Sequence, residues 1–511
     1  MADSVPNNNK RIAKNTMFLY VRMMVVMVVA LYTSRVILNT LGATDYGIYN
    51  VVGGIVTIVS FLNSALGAST SRFLTFALGE CNLEKQKATF GASLNLHICV
   101  ALLVLIVGET IGLWFFYEKM IIPESRMVAA FWVYQFSIVT TMVSFTQVPY
   151  NASLIAHENM SIYAYVGLYE ALSRLLIAFL ITISPIDKLV FYGLLLMVNS
   201  LLVQLFYRFY VARHYEECRF SLVKDKKLYK QLLSYSGWDL LGNMALVCQG
   251  QGVNLLLNVF FGPVVNAARA IAFQIQGAVT QFITNFMTAV RPQIIKNYAE
   301  GNIDRMYTMT FYTAKFSYML MLALVLPICF EIRFILKLWL GNSVPDNTAL
   351  FAIIVLATYT LRSFHIAALM PYHAIGKIKT GNVTIGSLMI ATLPIGYLLF
   401  KLGLPAYSVF VVILAVEVIS IFAIYWLIHR YEYFPYRYLF TKILLPSALV
   451  TIISIIPATV VYLQMAEGFW RLVTLTCVTE ATLLFSAFYI GLNSLERQQL
   501  ITITKNKLKI K

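Results

Sequence analysis

The segment VVNAARAIAFQIQ, residues 264–276, sets one arginine, Arg269, among small and apolar side chains. A guanidinium in hydrocarbon costs about 2.5–3.5 kcal/mol on insertion scales, so its retention there calls for a use. The chemistry open to it is anion binding. A guanidinium is always charged and grips carboxylate or phosphate oxygens two at a time. Around a helix, Asn266, Arg269, Gln276, Thr280, Thr284 and Arg291 fall within about 80° of arc, a polar stripe with an arginine toward each end. Asp239, Asn243, Gln251, Asn254 and Asn258 form a second, broader polar face on the segment before it.

Other cations stand in apolar stretches. Arg22 shares a helix face with Thr33, Arg35 follows in the same segment, and Arg72 comes after NSALGAST. Lys315 and Arg362 have no acid close by in sequence, which favours a polar cavity for both. Each cation also has a plain structural use. Arg35, Arg72, Arg291 and Arg471 lie near segment ends and can snorkel to headgroups. Arg174 has Glu170 one turn before it and is expected to pair with it. The apolar segments together hold about ten cations against five clear acids, Glu109, Glu170, Asp239, Glu417 and Glu480, a balance that suits an anionic ligand. The cysteines Cys81, Cys99, Cys218, Cys248, Cys329 and Cys477 show no CxxC or Cys/His spacing. Disulfides, metals and cofactors are therefore not expected.

These residues must be positioned by membrane-spanning helices. Of 511 residues, 59% are hydrophobic and only 12% charged, with a mean hydropathy of +0.74, far from the roughly one-quarter charged composition of soluble domains. Fourteen apolar segments are each long enough to cross a bilayer: about 16–39, 46–68, 88–117, 127–151, 161–184, 189–212, 231–260, 264–290, 306–330, 347–370, 381–402, 406–428, 443–463 and 470–491. Barrel strands would alternate in polarity, and these do not, so an all-α integral membrane fold is expected.

The net charge of +16 is distributed as a membrane protein distributes it. With the N-terminus inside, inner segments carry 23 Lys and Arg and outer ones six, which places both termini in the cytoplasm. The richest patches, RHYEECRFSLVKDKKLYK (213–230) and KNKLKIK (505–511), suit anionic membrane lipids rather than nucleic acid.

A repeat runs through the loops at an offset of 220 to 222 residues. GECNLEK (79–85) faces AEGNIDR (299–305), IPES (122–125) faces VPDN (344–347), PYNA (149–152) faces PYHA (371–374), and Gly42 faces Gly262. Arg72 then aligns with Pro292, beside Arg291. The period holds six segments, an even number, so both copies cross the membrane in the same sense. The expected organisation is an N-lobe over 1–220, a C-lobe over 221–435, and two further helices with a basic tail over 436–511. Two such parallel six-helix bundles can enclose a midplane cavity, for which a monomer suffices.

The opening stretch NTMFLYVRMMVVMVVALYTSRVILNTLGATDYGIYNVVGGIVTIVSFLNSALGASTSRFLTF resembles the polysaccharide-transporter branch of the multidrug/oligosaccharidyl-lipid/polysaccharide (MOP) exporter superfamily, in particular Wzx-type O-antigen and capsule flippases. LGATDYGIYNVV is its most specific phrase, and SYSGWDLLGNMA, RPQIIKNYAEGN and LKLWLG extend the likeness along essentially the whole chain. The resemblance implies a MATE-like MOP fold in the bacterial inner membrane and a flippase rather than an enzyme. Its cargo would be a polyprenyl-diphosphate-linked glycan, an O-antigen or capsule repeat unit on undecaprenyl diphosphate. Glycan polymerase and chain-length proteins would be partners. Arg22, Arg72 and Arg269 stand at phosphate-facing positions of such flippases, with Arg291 as an addition. Asp239 is the nearest match to the acids that some relatives place in the lumen, where it would bind a coupling ion. Lys315, Arg362, Arg35, Asn243, Gln251, Asn254, Asn266 and Gln276 would line the rest of the cavity.

Two other functions fit parts of the chain. A cation-coupled multidrug exporter of the same superfamily would want a first-lobe carboxylate, and segment 16–39 has none. A membrane glycosyltransferase or polymerase would want an external catalytic loop, and the outer segments are stubs such as EKMIIPESR and LGLPAY.

Overall fold

The computed structural model describes residues 5–57, 61–79, 82–157, 159–341, 343–376, 378–493 and 496–498. Its main helices are α1 (Val5–Thr57), α2 (Phe61–Gly79), α3 (Leu83–Val107), α4 (Met127–Ala156), α5 (Met160–Leu180), α6 (Lys188–His214), α7 (Lys226–Phe261) and α8 (Pro263–Ala299). They continue as α9 (Ile303–Phe330), α10 (Ile332–Leu340), α11 (Thr348–Ile375), α12 (Ile378–Lys401), α13 (Ser408–Tyr431), α14 (Leu445–Gln464) and α15 (Phe469–Ser486). No strand occurs among the described residues.

Twelve helices among the described residues are long and apolar enough to cross a membrane. Two of the fourteen segments counted in sequence are not separate members of that set. Segment 46–68 starts in the part of α1 that follows the break at Gly42, inside the span counted as Val26–Gly54, and reaches residues outside the described ones. Segment 264–290 is α8, where amides, hydroxyls and arginines lower the hydropathy. The chain is thus a multi-pass membrane protein.

Local chemistry explains where the helices begin and break. Asn82, Asp187 and Asp225 cap α3, α6 and α7, each accepting hydrogen bonds from first-turn N–H groups that have no helical partner. Gly42 breaks α1 with φ 79° and ψ 168°, and Gly262 separates α7 from α8 with φ 79° and ψ −178°. A side chain tolerates that backbone region poorly. The two glycines matched by the sequence repeat therefore adopt one conformation. A π turn at Gly108–Gly112 follows α3, and the Tyr134 hydroxyl donates to the Gly108 carbonyl at 2.6 Å.

By packing, the chain forms two compact units. Unit 1 comprises Met1–Ala270, Trp339–Asp346 and Leu393–Ala406; unit 2 comprises Ile271–Leu338, Asn347–Thr392 and Tyr407–Lys511. In unit 1, Ile48, Val51, Val52, Phe116, Tyr134 and Phe145 form a core between α1, α4 and the end of the α3 region. In unit 2, α9, α11 and α13 pack together, with Tyr318 stacked on Phe364 at 4.7 Å and Phe351 against Phe410 at 4.5 Å.

Candidate substrate-binding site

The polar faces read from sequence come together in unit 1 around the turn at Gly262. Asn266, fully buried at the start of α8, donates through Nδ2 to the Asn254 carbonyl at 2.6 Å and to Asn254 Oδ1 at 2.8 Å. Asn254 donates in turn to the Asn50 carbonyl of α1 at 3.2 Å. Asn258 exchanges two hydrogen bonds with the Ile121 backbone, at 3.0 and 3.4 Å. In a low-dielectric bundle such amides hold helices in register because an unmet polar group there is costly.

Small residues make this approach possible. A Cβ on Gly47 would stand 1.9 Å from the Pro263 carbonyl oxygen, and one on Gly54 would stand 2.8 Å from Asn254 Nδ2 and 2.9 Å from Gln251 Oε1. Gly47 and Gly54 lie seven residues apart, on one face of α1. One turn beyond Asn266, Arg269 is half-buried and donates from Nη2 to the Gly250 carbonyl of α7 at 2.7 Å. Arg269, Asn254, Asn266 and Gln251 thus share one α1/α7/α8 corner, with Arg269 tethered at its edge.

The packing division falls inside α8, after Ala270, so the lower part of the stripe belongs to unit 2. Gln276 donates to Thr280 Oγ1 at 3.0 Å, and Thr280 and Thr284 donate to carbonyls of the preceding turn. Their polar atoms are bonded along their own helix. Arg35 is exposed on α1. Arg22, Arg72, Asp239, Asn243 and Arg291 lie on described helices, but their side chains are outside the described residues.

Two cations with no acid nearby in sequence find one across the fold. Lys315 is 2% exposed in α9, and its Nζ lies 2.7 Å from both carboxylate oxygens of Glu496 and 3.0 Å from the Gly491 carbonyl. Glu496 is also bonded to the Asn493 N–H at 2.6 Å. Arg362 Nε is 3.9 Å from Glu417, whose other oxygen lies 2.7 Å from His365 Nδ1. The Arg362 guanidinium also lies 5.2 Å from the Tyr359 ring centre. Arg471 does not snorkel: it is buried, forks onto Glu331 at 2.5 and 2.9 Å, and covers Tyr462 at 4.6 Å. The expected Glu170–Arg174 pair does not form. Arg174 is exposed and makes no ion pair with Glu170 among the described residues.

At the loop ends of unit 1, sequence reading passed over Arg126. It forks onto Asp45 at 2.8 and 2.6 Å and onto Asp187 at 2.6 and 3.1 Å, tying together the breaks before α4, after Gly42 and before α6. Burial alone would raise the Asp187 carboxyl, but the Arg126 guanidinium and the Val190 N–H outweigh it and hold the group below its ordinary 3.8.

No protein-family model matches the chain, and no curated protein matches it in sequence. Solved structures do resemble it. The lipid II flippase MurJ, in an inward closed conformation, aligns with a TM-score of 0.71 at 14% identity, over 95% of this chain and 100% of that one. A multidrug resistance transporter of the MATE family, inward-facing, aligns with a TM-score of 0.66 at 14% identity, over 79% of this chain and 96% of that one. A MOP superfamily transporter from Pyrococcus furiosus, described for the reverse polarity of its binding pocket, aligns with a TM-score of 0.57 at 15% identity, over 80% and 93%. The fold expected from the resemblance is therefore the fold observed, that of MOP superfamily transporters.

Proposed function

We propose that this chain is a flippase that carries an oligosaccharide on undecaprenyl diphosphate from the cytoplasmic to the periplasmic leaflet by alternating access. The observation that carries the reading is the extent of the structural match. A lipid flippase covers 95% of the chain, whereas the MATE transporter leaves about a fifth of it outside the alignment. The cations that remain in the apolar segments once Lys315, Arg362 and Arg471 are set against their acids support an anionic cargo over a cationic drug. Two repeated lobes, 1–220 and 221–435, would rock about the cargo, with 436–511 beside them.

The roles divide by surroundings. Arg269, with Arg22, Arg72 and Arg291, would hold the diphosphate, because guanidinium forks match phosphate oxygens. Gln251 and Asn243 would meet sugar hydroxyls. Asn254 and Asn266 would serve the site by fixing α7 against α8 and α1, since their amide N–H groups are spent on the α1 backbone and on Asn254. Cargo can drive reorientation only by binding one state better than the other, and Asp239 would bind a coupling ion if one supplies direction.

The test uses a deletion strain complemented with wild type or Arg269→Ala at matched membrane levels. Lipid-linked oligosaccharide accumulates and surface glycan disappears without a working Arg269 if the reading is right. Normal glycan in both strains, with drug sensitivity rising on deletion, would replace it with the exporter.

A further inference from the structure

The connection between α6 and α7, residues 215–225, is fastened to unit 1 along its inner side. The Tyr215 ring stacks on His157 at 3.9 Å, Glu217 lies 2.6 Å from His157 Nε2, and Cys218 Sγ lies 3.0 Å from Ser153 Oγ. Asn95 of α3 donates to the Ser221 carbonyl at 3.1 Å and to the Tyr229 hydroxyl at 3.2 Å, and that hydroxyl donates to the Val223 carbonyl at 3.0 Å. The loop lies so close on α3 that a Cβ at Gly91 would stand 2.3 Å from Ser221 Oγ and 3.0 Å from its carbonyl oxygen.

Its outer side has a different composition. All three carboxylates of the stretch are engaged: Glu216 with Lys87 at 3.5 Å, Glu217 with His157, and Asp225 as the cap of α7. Arg219, Lys224, Lys226, Lys227 and Lys230 carry no ion pair among the described residues and are exposed. Between them Phe220 is 56% exposed, Leu222 79% and Leu233 50%. Lys226, Tyr229, Lys230 and Leu233 line a shallow groove of about 550 Å³.

Neither bulk phase suits this surface. Water leaves Phe220 and Leu222 uncovered, and hydrocarbon tolerates neither the charges nor backbone outside helices. The headgroup layer accepts both, with apolar tips reaching toward the acyl chains and ammonium groups at phosphate depth. We propose that 213–233 is a preformed docking platform for anionic phospholipid headgroups, which anchors unit 1 at the membrane surface. Its assignment to the inner leaflet rests on the orientation drawn from the Lys/Arg asymmetry; lipid selectivity itself does not depend on the cargo.

The purified full chain would be studied in mixed micelles containing phosphatidylglycerol or phosphatidylcholine, with no glycan present. Retained lipid would be counted by native mass spectrometry. Wild type is expected to retain phosphatidylglycerol in preference, and salt should erode the preference. Arg219→Gln/Lys226→Gln/Lys230→Gln should weaken it by roughly a hundredfold, and Phe220→Ser/Leu222→Ser should lower retention of both lipids. All five side chains are exposed, so the variants should keep wild-type melting in phosphatidylcholine; Lys224→Gln/Lys227→Gln serves as a second set if the triple variant is unstable. Unchanged preference in folded variants overturns the proposal, as does full competition by inorganic phosphate, which would make the cations a free-anion site. Transport is not read, so failure of the flippase assay leaves this result standing.

Discussion

The pair Lys315–Glu496 offers the sharpest separation between a cavity cation and a structural one. Lys315→Met keeps an unbranched side chain out to Cε and removes the ammonium group. The carboxylate of Glu496, 5% exposed, then loses two contacts at 2.7 Å, and the Gly491 carbonyl loses one at 3.0 Å. Removing one member of a buried pair costs about 3–5 kcal/mol, while replacing both by apolar groups is often neutral. At ~2–4 °C per kcal/mol for a unit of this size, the single variant should melt roughly 6–20 °C below wild type. Glu496→Met should do the same, and the double variant should recover most of the loss. The assay is thermal unfolding of purified protein followed by intrinsic fluorescence, arranged as a double-mutant cycle. If Lys315→Met melts with wild type yet abolishes transport, and Glu496→Met leaves both unchanged, then the lysine serves the cargo and the structural argument fails.

Gly47→Ala should abolish properly folded protein or cost several kcal/mol, because its Cβ would meet the backbone of Pro263 at 1.9 Å; Gly53→Ala, where a Cβ meets nothing within 4 Å, should be neutral, and size-exclusion profiles of the two settle it. The Arg126–Asp187 arm of the fork should make unit 1 acid-sensitive: the Asp187 carboxyl, held below 3.8 when folded, contributes stability that is complete above that value and is lost as pH falls through the folded one. Melting measured from about pH 6 to about pH 3 should therefore fall in wild type and change less in Arg126→Ala, and parallel curves would count against the bridge.

The sequence made the helices legible because hydrocarbon dictates their length and composition, and it made the glycine breaks legible because Gly42 and Gly262 recur at the repeat offset and share one conformation. It also placed Asn254, Asn266 and Arg269 on polar faces, since helical periodicity is local. It could not show that the two asparagines turn toward each other, which depends on the angle at Gly262. Nor could it find Glu496 for Lys315 or Glu331 for Arg471: partners 181 and 140 residues apart leave no trace in spacing. The i, i+4 rule even misled at Arg174, which is exposed and makes no ion pair with Glu170 among the described residues.

Those long-range pairs also impose a timetable on biosynthesis. Lys315 enters its helix 181 residues before Glu496 is made, and Glu331 precedes Arg471 by 140. At ~5–20 residues per second, the nascent chain carries each unmatched charge for roughly 7–36 s. During that interval unit 2 assembles its core of α9, α11 and α13 without its clasp, and the insertion machinery or a nearby lipid headgroup must hold the charges. The stretch from Arg471 to Glu496 is thus the one that ends the waiting of both Glu331 and Lys315.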